Sequence, residues 1–472
     1  MGKEIRANYE QSYLLPPSLE DWLPPDHPAR FIREFVDSLN LGGLGFAMAK
    51  AEDGRPPYAA DLLLKVWLYG YLHGIRSSRK VEAACYEHIG LIWLTGRHYP
   101  DHNTLSRFLA ANEAALKGVF RQVVYVAYRA GLVGLVLHAV DGTKIAAAVS
   151  KRGMWRRGQL RELLAELDGS IEEALEQIKQ ADDVELGEYC LPEEIQDKER
   201  RRAKIIEALS ELDEIKRNYL HPGERDARLM KSGDDFNLAY NAQIAVDEKS
   251  GLIVAEAVVN EEADNRQLVP MVEAVKSNLG EAAQETVADA GYYSAGQLAA
   301  AENAGLSVSV PLNEETDKRW GKGMFQKANF TYDEQRDVYV CPLAKELTYE
   351  KTQKDSHGRF FLRLYRCRHY KECPKRGECS QDKRGRKIER GEYEKAVEHQ
   401  RAKQRDPAKR ELLQKRKSIV EHVFGQIKEH RGLRRFNGRG LRYARTQWSM
   451  VCTALNLSKL HRYWSTGALI LS

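Results

Sequence analysis

The chain has 472 residues and a formal net charge of +5; 43% of its residues are apolar and 30% are charged. This composition is typical of a soluble globular protein, and the length corresponds to about two to four domains. The longest apolar run, residues 131–140, contains His138 and is far shorter than the roughly 18 residues of a membrane span. The first residues have no apolar core, so we expect no secretory signal. The composition also argues against a disordered chain.

Positive charge is concentrated in two segments toward the end of the sequence. Residues 401–450 contain 15 Lys or Arg against 4 Asp or Glu, and residues 361–390 contain 11 against 4. Such a concentration is what a polyanionic partner requires. The alternative is a solvated basic surface that binds nothing.

The first 130 residues are predicted to form a helical domain. Apolar residues at helical spacing predict helices over residues 29–39, 60–72, 78–87, 102–116 and on to about 130. Asn103 or Thr104 is the predicted cap of the fourth helix. Short helices with basic residues near their starts are typical of small DNA-binding domains. The basic residues that we predict to contact DNA here are Arg76, Lys80 and Arg107. The alternative is a plain helical core with exposed charges.

From residue 133 the pattern changes to an α/β type. An apolar run ending at Val140 predicts a buried strand with Asp141 at its carboxyl end. Amphipathic spacing then predicts a helical hairpin over about residues 155–220, with a break at 187–192. Further strands are predicted over 236–246, 252–259, 285–288 and 306–311, and helices over 264–279 and 294–304, with Asp264 as a helix cap. Hairpin strands followed by helix-linked strands predict a mixed sheet.

The predicted domain organisation follows from these elements. Residues 1–130 form a helical DNA-binding domain. Residues 131–313 and 411–472 form the α/β core, which includes the helical-hairpin insertion and ends with helices over 412–430 and 446–461. Residues 314–410 are poor in apolar residues and rich in charge and Cys, so we predict that they form a Cys-containing basic insertion.

Three acids are candidates for a metal site. Asp141 and Asp289 are each predicted to end a buried strand, the edge where α/β sheets bind ligands. Glu421 lies on a predicted helix whose apolar residues would pack on that sheet. Three carboxylates suit Mg²⁺ or Mn²⁺, and two such ions can serve phosphoryl transfer. Taken singly, each acid could instead be a turn or surface residue.

Several sequence blocks together resemble one family. These are SYLLPPSLEDWLPPDHPARFI and PDHNTLSRF near the start, and VDGTKI, YNAQIAVD, VADAGYYS and IVEHVFGQIK later. With them the chain resembles, over nearly its whole length, the DDE transposases of bacterial insertion sequences. The resemblance implies an RNase H-like mixed sheet flanked by helices. It also implies that Asp141, Asp289 and Glu421 are the catalytic triad that holds Mg²⁺ or Mn²⁺.

The basic residues around Glu421 extend the resemblance. Lys428 follows Glu421 by seven residues, which matches the family's spacing. A related signature has Arg four residues before the Glu and Tyr three before that; here these positions are Lys417 and Gln414, and Arg416 is one place off. Basic side chains can hold phosphates without reading sequence. The residues that we predict to contact DNA in this region are Arg416, Lys417, Lys428 and Arg431, with Arg434 and Arg435 nearby.

Four of the seven Cys, namely Cys341, Cys367, Cys373 and Cys379, are separated by 25, 5 and 5 residues. A Cys₄ zinc site would order a segment that has little core of its own. His357 and His369 are competing ligands, and unligated reduced thiols are the alternative. The remaining Cys85, Cys190 and Cys452 are predicted to be structural.

The function we expect is that of a transposase. It would bind the terminal inverted repeats of its element, cleave their 3′ ends and join them to target DNA by two-metal-ion phosphoryl transfer, as a homodimer on double-stranded DNA. We expect it in the bacterial cytoplasm, associated with the nucleoid and not with a membrane. No P-loop motif is present, so nothing indicates ATP use. The alternatives are a non-catalytic DNA-binding protein derived from a transposase, and an RNase H-like nuclease without strand transfer.

Overall fold

The computed structural model describes residues 18–47, 56–181, 193–232, 235–312, 324–354 and 361–471. The predicted break at 187–192, with Cys190, and the candidate ligand His357 lie outside these ranges. None of the helices in the described ranges combines the length and apolar character needed to cross a bilayer.

The helical domain contains six helices in the described residues. They are α1 (Pro28–Asp37), α2 (Ala60–Leu72), α3 (Ser78–Glu87), α4 (Ile89–Thr95), α5 (His102–Ala111) and α6 (Glu113–Arg129). The predicted bounds of α2 and α3 are confirmed. The short α4 was not predicted, because its apolar residues follow one another without helical spacing.

The predicted single helix over 102–116 is wrong, because the chain breaks at Asn112 between α5 and α6. The Asn112 amide donates to the Phe108 carbonyl at 2.8 Å, so it closes the end of α5. The predicted cap of α5 is also wrong. Asp101 caps this helix, since its carboxylate accepts the backbone N–H groups of Asn103 and Thr104, both at 2.9 Å.

The central part of the chain alternates strands and helices. Its elements are β1 (Leu137–Ala146), β2 (Trp155–Arg156), α7 (Arg157–Ala181), α8 (Glu193–Glu214), β3 (Tyr219–Leu220), β4 (Arg228–Ser232), β5 (Asp235–Asp247), β6 (Ile253–Val259), α9 (Leu268–Leu279), β7 (Glu285–Val287), α10 (Ala295–Asn303) and β8 (Val308–Ser309). Helices α7 and α8 pack on each other through a small apolar cluster. The antiparallel pair β2–β3 connects the start of α7 with the segment that follows α8.

Six of these strands form a mixed sheet, as predicted. Its order is β4-β5-β1-β7-β8, and β6 also pairs with β5. The pairs β1–β7 and β7–β8 are parallel and the others are antiparallel. The molecule is therefore a mixed α/β protein, with a helical domain packed against the sheet through one continuous core.

The predicted end of β1 at Val140 is wrong. Antiparallel pairing with β5 continues from His138 opposite Asp247 to Ala146 opposite Ala239. Asp141 therefore lies inside the strand, not at its end. The turn-like sequence that follows Asp141 stays extended because β5 supplies a hydrogen-bonding partner along its whole length.

The last part of the chain adds a second sheet and the closing helices. Its elements are β9 (Thr331–Asp333), β10 (Val338–Val340), β11 (Glu346–Lys354), β12 (Phe361–Cys367), α11 (Arg376–Cys379), β13 (Lys387–Gly391), α12 (Glu394–Arg405), α13 (Pro407–Gly425) and α14 (Leu441–Ser465). A π-helical turn, Gln426–His430, continues α13. The second sheet is antiparallel with the order β13-β12-β11-β10-β9. Its buried core includes Tyr339, Leu347 and Tyr365.

Helix α14 is the central support of the molecule. It packs on α2 and α6 of the helical domain and on β6 of the mixed sheet. The buried Trp448 donates to the Gln243 carbonyl at 3.1 Å. The Asn456 amide exchanges two hydrogen bonds with the backbone of Ile253. Both polar anchors fix the register of this helix on the sheet that carries the candidate site.

Candidate active site

Asp141 and Asp289 lie at the same level of the mixed sheet. The last residues paired between the parallel strands β1 and β7 are Ala139 and Val287. Asp141 follows Ala139 by two residues, and Asp289 follows Val287 by two residues. Because matching positions on adjacent strands are neighbours, the two carboxylates come from adjacent points where β7 ends and β1 continues.

Asp289 begins the turn that follows β7. Its carboxylate accepts the N–H of Gly291 at 2.8 Å and so caps a short 3₁₀ turn, Ala290–Tyr292. The prediction that Asp289 follows a buried strand and precedes a turn is confirmed.

The surroundings of Asp141 favour a bound cation. The Arg416 guanidinium on α13 donates to its carboxylate at 2.8 Å, and both side chains are mostly buried. Burial raises the pKa of Asp141; Arg416 and the N–H of Gly142 oppose this rise, and the charge of Asp289 adds to it. A carboxylate destabilised by burial and by a like charge gains most from a dication. The donor set around Asp141 and Asp289 thus fits a hard divalent metal.

A third acid, Asp264, lies beside these two and was not predicted to belong to the site. A Cβ placed on Gly142 would lie 3.0 Å from Asp264 Oδ1, and one placed on Gly291 would lie 3.9 Å from Asp264 Oδ2. The predicted role of Asp264 as a helix cap is wrong, because α9 begins later and Gln267 precedes it. The available sequence signal was the pair of polar residues, Asn241 and Gln243, within the mainly apolar stretch 238–246 of β5.

Tyr292 lies within reach of all three acids. Its side chain is buried, and its hydroxyl donates to Gln243. Burial raises the pKa of Tyr292 well above its ordinary value, and the charges of Asp264, Asp141 and Asp289 raise it further. Asp141, Asp264 and Asp289 therefore form one acidic pocket, and we use this name for the three residues below.

The structure does not bring Glu421 to the acidic pocket. Its side chain is 62% exposed and forms an ion pair with Lys417 at 3.6 Å on the same helix. Five residues earlier, Arg416 occupies the face of α13 that meets Asp141; five residues correspond to about 140° around a helix. In the part of the chain that the structure describes, no three His, Cys, Asp or Glu side chains are arranged to hold a metal.

Lys428 feels the charge of the acidic pocket. Burial lowers the pKa of Lys428 and Arg434 lowers it further, whereas Glu429 and Asp141 raise it. Lys428 is thus within electrostatic range of Asp141, which suits a contact with a phosphate at the site. Lys417 is largely exposed.

Arg76 and Arg431 hold the helical domain on the core. Arg431 donates to the carbonyls of Tyr71 and Leu72, at 2.6 and 2.9 Å, and so caps the end of α2. Arg76 donates to the Gly432 carbonyl at 3.0 Å. At least part of each guanidinium is therefore used within the fold. Lys80 on α3 and Arg107 on α5 are exposed.

The second sheet places the other three clustered Cys within electrostatic range of Cys379, although no three of these described side chains are arranged to hold a metal. Burial raises the pKa of Cys379 to about 11, partly offset by Arg386, and the three other thiols also raise it. Burial raises the pKa of Cys367 as well, and Cys341 and Cys373 add to that rise. The Lys345 N–H donates to Cys341 Sγ at 3.3 Å.

The structure defines a mixed α/β protein in which three acids lie together at the mixed sheet. A family model of the transposase DDE domain matches residues 340–461, and one of a transposase domain (DUF772) matches residues 17–111. Together these matches identify the chain as an insertion-sequence DDE transposase, as its sequence predicted. A search of curated proteins gives no significant match.

The family assignment gives the general chemistry. A DDE domain implies an RNase H-like fold and a polynucleotidyl-transferase type of enzyme, which acts on DNA and normally uses divalent metal ions. The two matched regions contain Glu421 and the residues Arg76, Lys80 and Arg107, but neither Asp141 nor Asp289.

Proposed function

We propose that this transposase cleaves the 3′ ends of its element and joins them to target DNA, with Asp141, Asp289 and Glu421 as the catalytic triad. The observation that carries the proposal is the matched position of Asp141 and Asp289 beyond the last paired residues of β1 and β7. Two carboxylates from adjacent strands can hold a divalent cation between them.

The proposed reaction has two displacements at phosphorus. In the first, a water oxygen bonds to phosphorus, the bond to the 3′ oxygen of the element breaks, and a free 3′-OH remains. In the second, that 3′-OH attacks a target phosphate and the target's 3′ oxygen leaves. When bound, the divalent ions activate the nucleophile and stabilise the leaving oxygen. Asp141 and Asp289 hold these ions, and Lys428 neutralises a phosphate near Asp141.

Glu421 completes the triad in this proposal only after α13 rotates on the sheet, because Arg416 occupies the face that meets Asp141 and Glu421 lies about 140° around the helix from it. DNA phosphates that draw Arg416 and Lys417 away from their acidic partners would free both carboxylates for that change. Arg416, which bonds to Asp141, would then be replaced there by the metal and would become available to the DNA backbone. The proposal thus explains why basic residues surround an acidic site.

The test is cleavage of a duplex that carries the element's ends, followed by strand transfer from a duplex with a free 3′-OH. Metal-dependent cleavage together with joined products supports the proposal. Cleavage without joining would instead indicate a nuclease, and binding without cleavage a non-catalytic protein. We also propose that the protein acts on the chromosome and binds DNA as a homodimer. Band shifts at two protein concentrations test the homodimer.

Lys80 and Arg107 are expected to bind the DNA backbone. Replacing either with Ala in the full-length chain should weaken binding to the terminal repeats and reduce the salt slope of the affinity by about one, since each contacts one phosphate. The measurement is a salt titration of binding. Arg200→Ala, an exposed residue of α8, is the control and should leave the slope unchanged. Unchanged slopes for both variants would remove α3 and α5 from the DNA interface.

We propose that Cys341, Cys367, Cys373 and Cys379 bind one structural zinc. The three other thiols raise the pKa of Cys379, and Cys341, Cys367 and Cys379 pack on the small core of the second sheet. A zinc ion would deprotonate the thiols and tie the turns around β10, β12 and α11 together.

Protein prepared without chelators should therefore contain about one zinc per chain, as a Cys₄ site predicts. Cys373→Ser should lose it, and Cys85→Ala, a buried Cys of α3, should keep it. Elemental analysis measures both. Zinc-free wild-type protein with four titratable thiols in the second sheet would contradict the proposal.

A further inference from the structure

Asp264 is hydrogen-bonded to two adjacent strands of the mixed sheet, β1 and β5. Its Oδ1 accepts the Asn241 amide at 2.6 Å and the Gln243 amide at 2.8 Å, both from β5. Its two oxygens also accept the Lys144 ammonium of β1, at 3.1 and 3.3 Å. One carboxylate thus joins a loop before α9 to two central strands.

The bond with Lys144 links Asp264 to the strand of Asp141. Lys144 follows Asp141 by three residues on β1, directly opposite Asn241. Gly142 lies between them, and a Cβ there would come within 2.3 Å of the Gln243 amide nitrogen. The absence of a side chain at Gly142 therefore lets Asp264 and Gln243 approach the backbone beside Asp141.

The bond with Gln243 links Asp264 to the turn of Asp289. The Gln243 amide nitrogen donates to Asp264, and its carbonyl oxygen accepts the Tyr292 hydroxyl. Tyr292 is the last residue of the 3₁₀ turn that Asp289 caps. Gln243 and Tyr292 are both buried, so water does not compete with this chain of hydrogen bonds.

We propose that Asp264 is a positioning residue that fixes the separation of Asp141 and Asp289 and thereby sets the affinity of that pair for a divalent cation. The inference rests on the proposed function, in which these two residues hold the metal. Partners that orient the ligands of a metal site typically change metal affinity 10–100-fold when they are lost. Of the three acids, all of them in the described residues, only Asp264 is linked by hydrogen bonds both to β1 and to the turn of Asp289. The first link is through Lys144 and the second is through Gln243 and Tyr292.

Asp247, the last residue of β5, provides a matched control. It is a buried Asp of β5 whose carboxylate accepts the N–H groups of Gly134 and Ser250, both at 2.9 Å. Its removal should affect stability, but its contact with β1 is at His138 Nε2, 3.6 Å away and three residues before Asp141. Comparing Asp247 with Asp264 therefore distinguishes a purely structural carboxylate from a positioning one.

The experiment measures binding of Mn²⁺ alone, without DNA, by calorimetric titration and by the rise in unfolding temperature with Mn²⁺. The variants are Asp264→Asn, Tyr292→Phe, Asp247→Asn and Asp141→Ala, each in the full chain. Asn keeps the shape of Asp264 but loses the charge that holds Lys144. We expect about tenfold weaker Mn²⁺ binding for Asp264→Asn, a smaller loss for Tyr292→Phe, and unchanged affinity for Asp247→Asn.

Each other outcome has a defined meaning. Wild-type affinity in Asp264→Asn, together with lost binding in Asp141→Ala, would overturn the positioning role and leave the proposed function standing. Complete loss in Asp264→Asn would also overturn it, since Asp264 would then be a ligand. Wild-type affinity in Asp141→Ala would instead remove the metal site of the proposed function.

Discussion

Cleavage of the element's ends is expected to fall by at least about 1,000-fold when Asp141, Asp289 or Glu421 is replaced with Ala, because residues that act as a unit lose most of their joint effect together. The losses should be alike, and a double replacement should be no slower than a single one. Strand cleavage in Mg²⁺, measured under single-turnover conditions, tests this prediction.

Two controls separate lost chemistry from lost structure. Asp141→Asn keeps a hydrogen-bond acceptor for Arg416 and removes the charge that a metal requires, so its cleavage should be lost while its unfolding temperature is kept. DNA binding should survive in all variants, because Lys and Arg supply the phosphate contacts. Near-normal cleavage by Glu421→Ala would show that the third ligand is another acid.

The sequence predicted the mixed sheet and the place of Asp289 well. Strands β5, β6 and β7 have strong apolar or alternating patterns, and the turn that follows Asp289 contains Gly291. These are local signals, so the residues themselves carry them.

The interior position of Asp141 could not be predicted in this way. Asp141-Gly142-Thr143 has the composition of a turn, and only pairing with β5, about a hundred residues away, keeps it extended. The role of Asp264 was missed for a similar reason. A lone Asp before a helix has the local signature of a cap, whereas its actual partners, Lys144, Asn241 and Gln243, come from distant strands.

The position of Glu421 shows the limit of motif reasoning for a site. The spacing to Lys428 matches the family, but a π-helical turn starts between the two residues and changes their relative direction. Lys428 is within electrostatic range of Asp141, whereas Glu421 is exposed beside Lys417. A constant spacing of seven residues therefore does not by itself place two side chains on one face.

Glu285 joins β7, the strand before Asp289, to α12 and to α13, the helix that carries Arg416 and Glu421. Its carboxylate is 3% exposed and bonds to Lys403 of α12 and Lys409 of α13. Ser309 of β8 donates to it at 2.9 Å. Burial acts to raise the pKa of Glu285, but these partners outweigh it and leave the pKa lowered.

Glu285→Ala is therefore expected to lower the free energy of unfolding by about 3 kcal/mol, because it leaves two Lys without their buried partner. Since the folded pKa is lowered, the stabilisation from the charge is present above the ordinary pKa of 4.5 and is lost as the pH falls through the folded value. The difference between wild type and Glu285→Gln should thus shrink in acid. Urea unfolding followed by tryptophan fluorescence at pH 7 and pH 4 measures both effects.

Glu302→Ala, which removes an exposed pair with His399, is the matched control and should lower the free energy of unfolding by less than about 1 kcal/mol. Equal effects of the two Ala variants would show that Glu285 does not anchor α12 and α13 to the sheet.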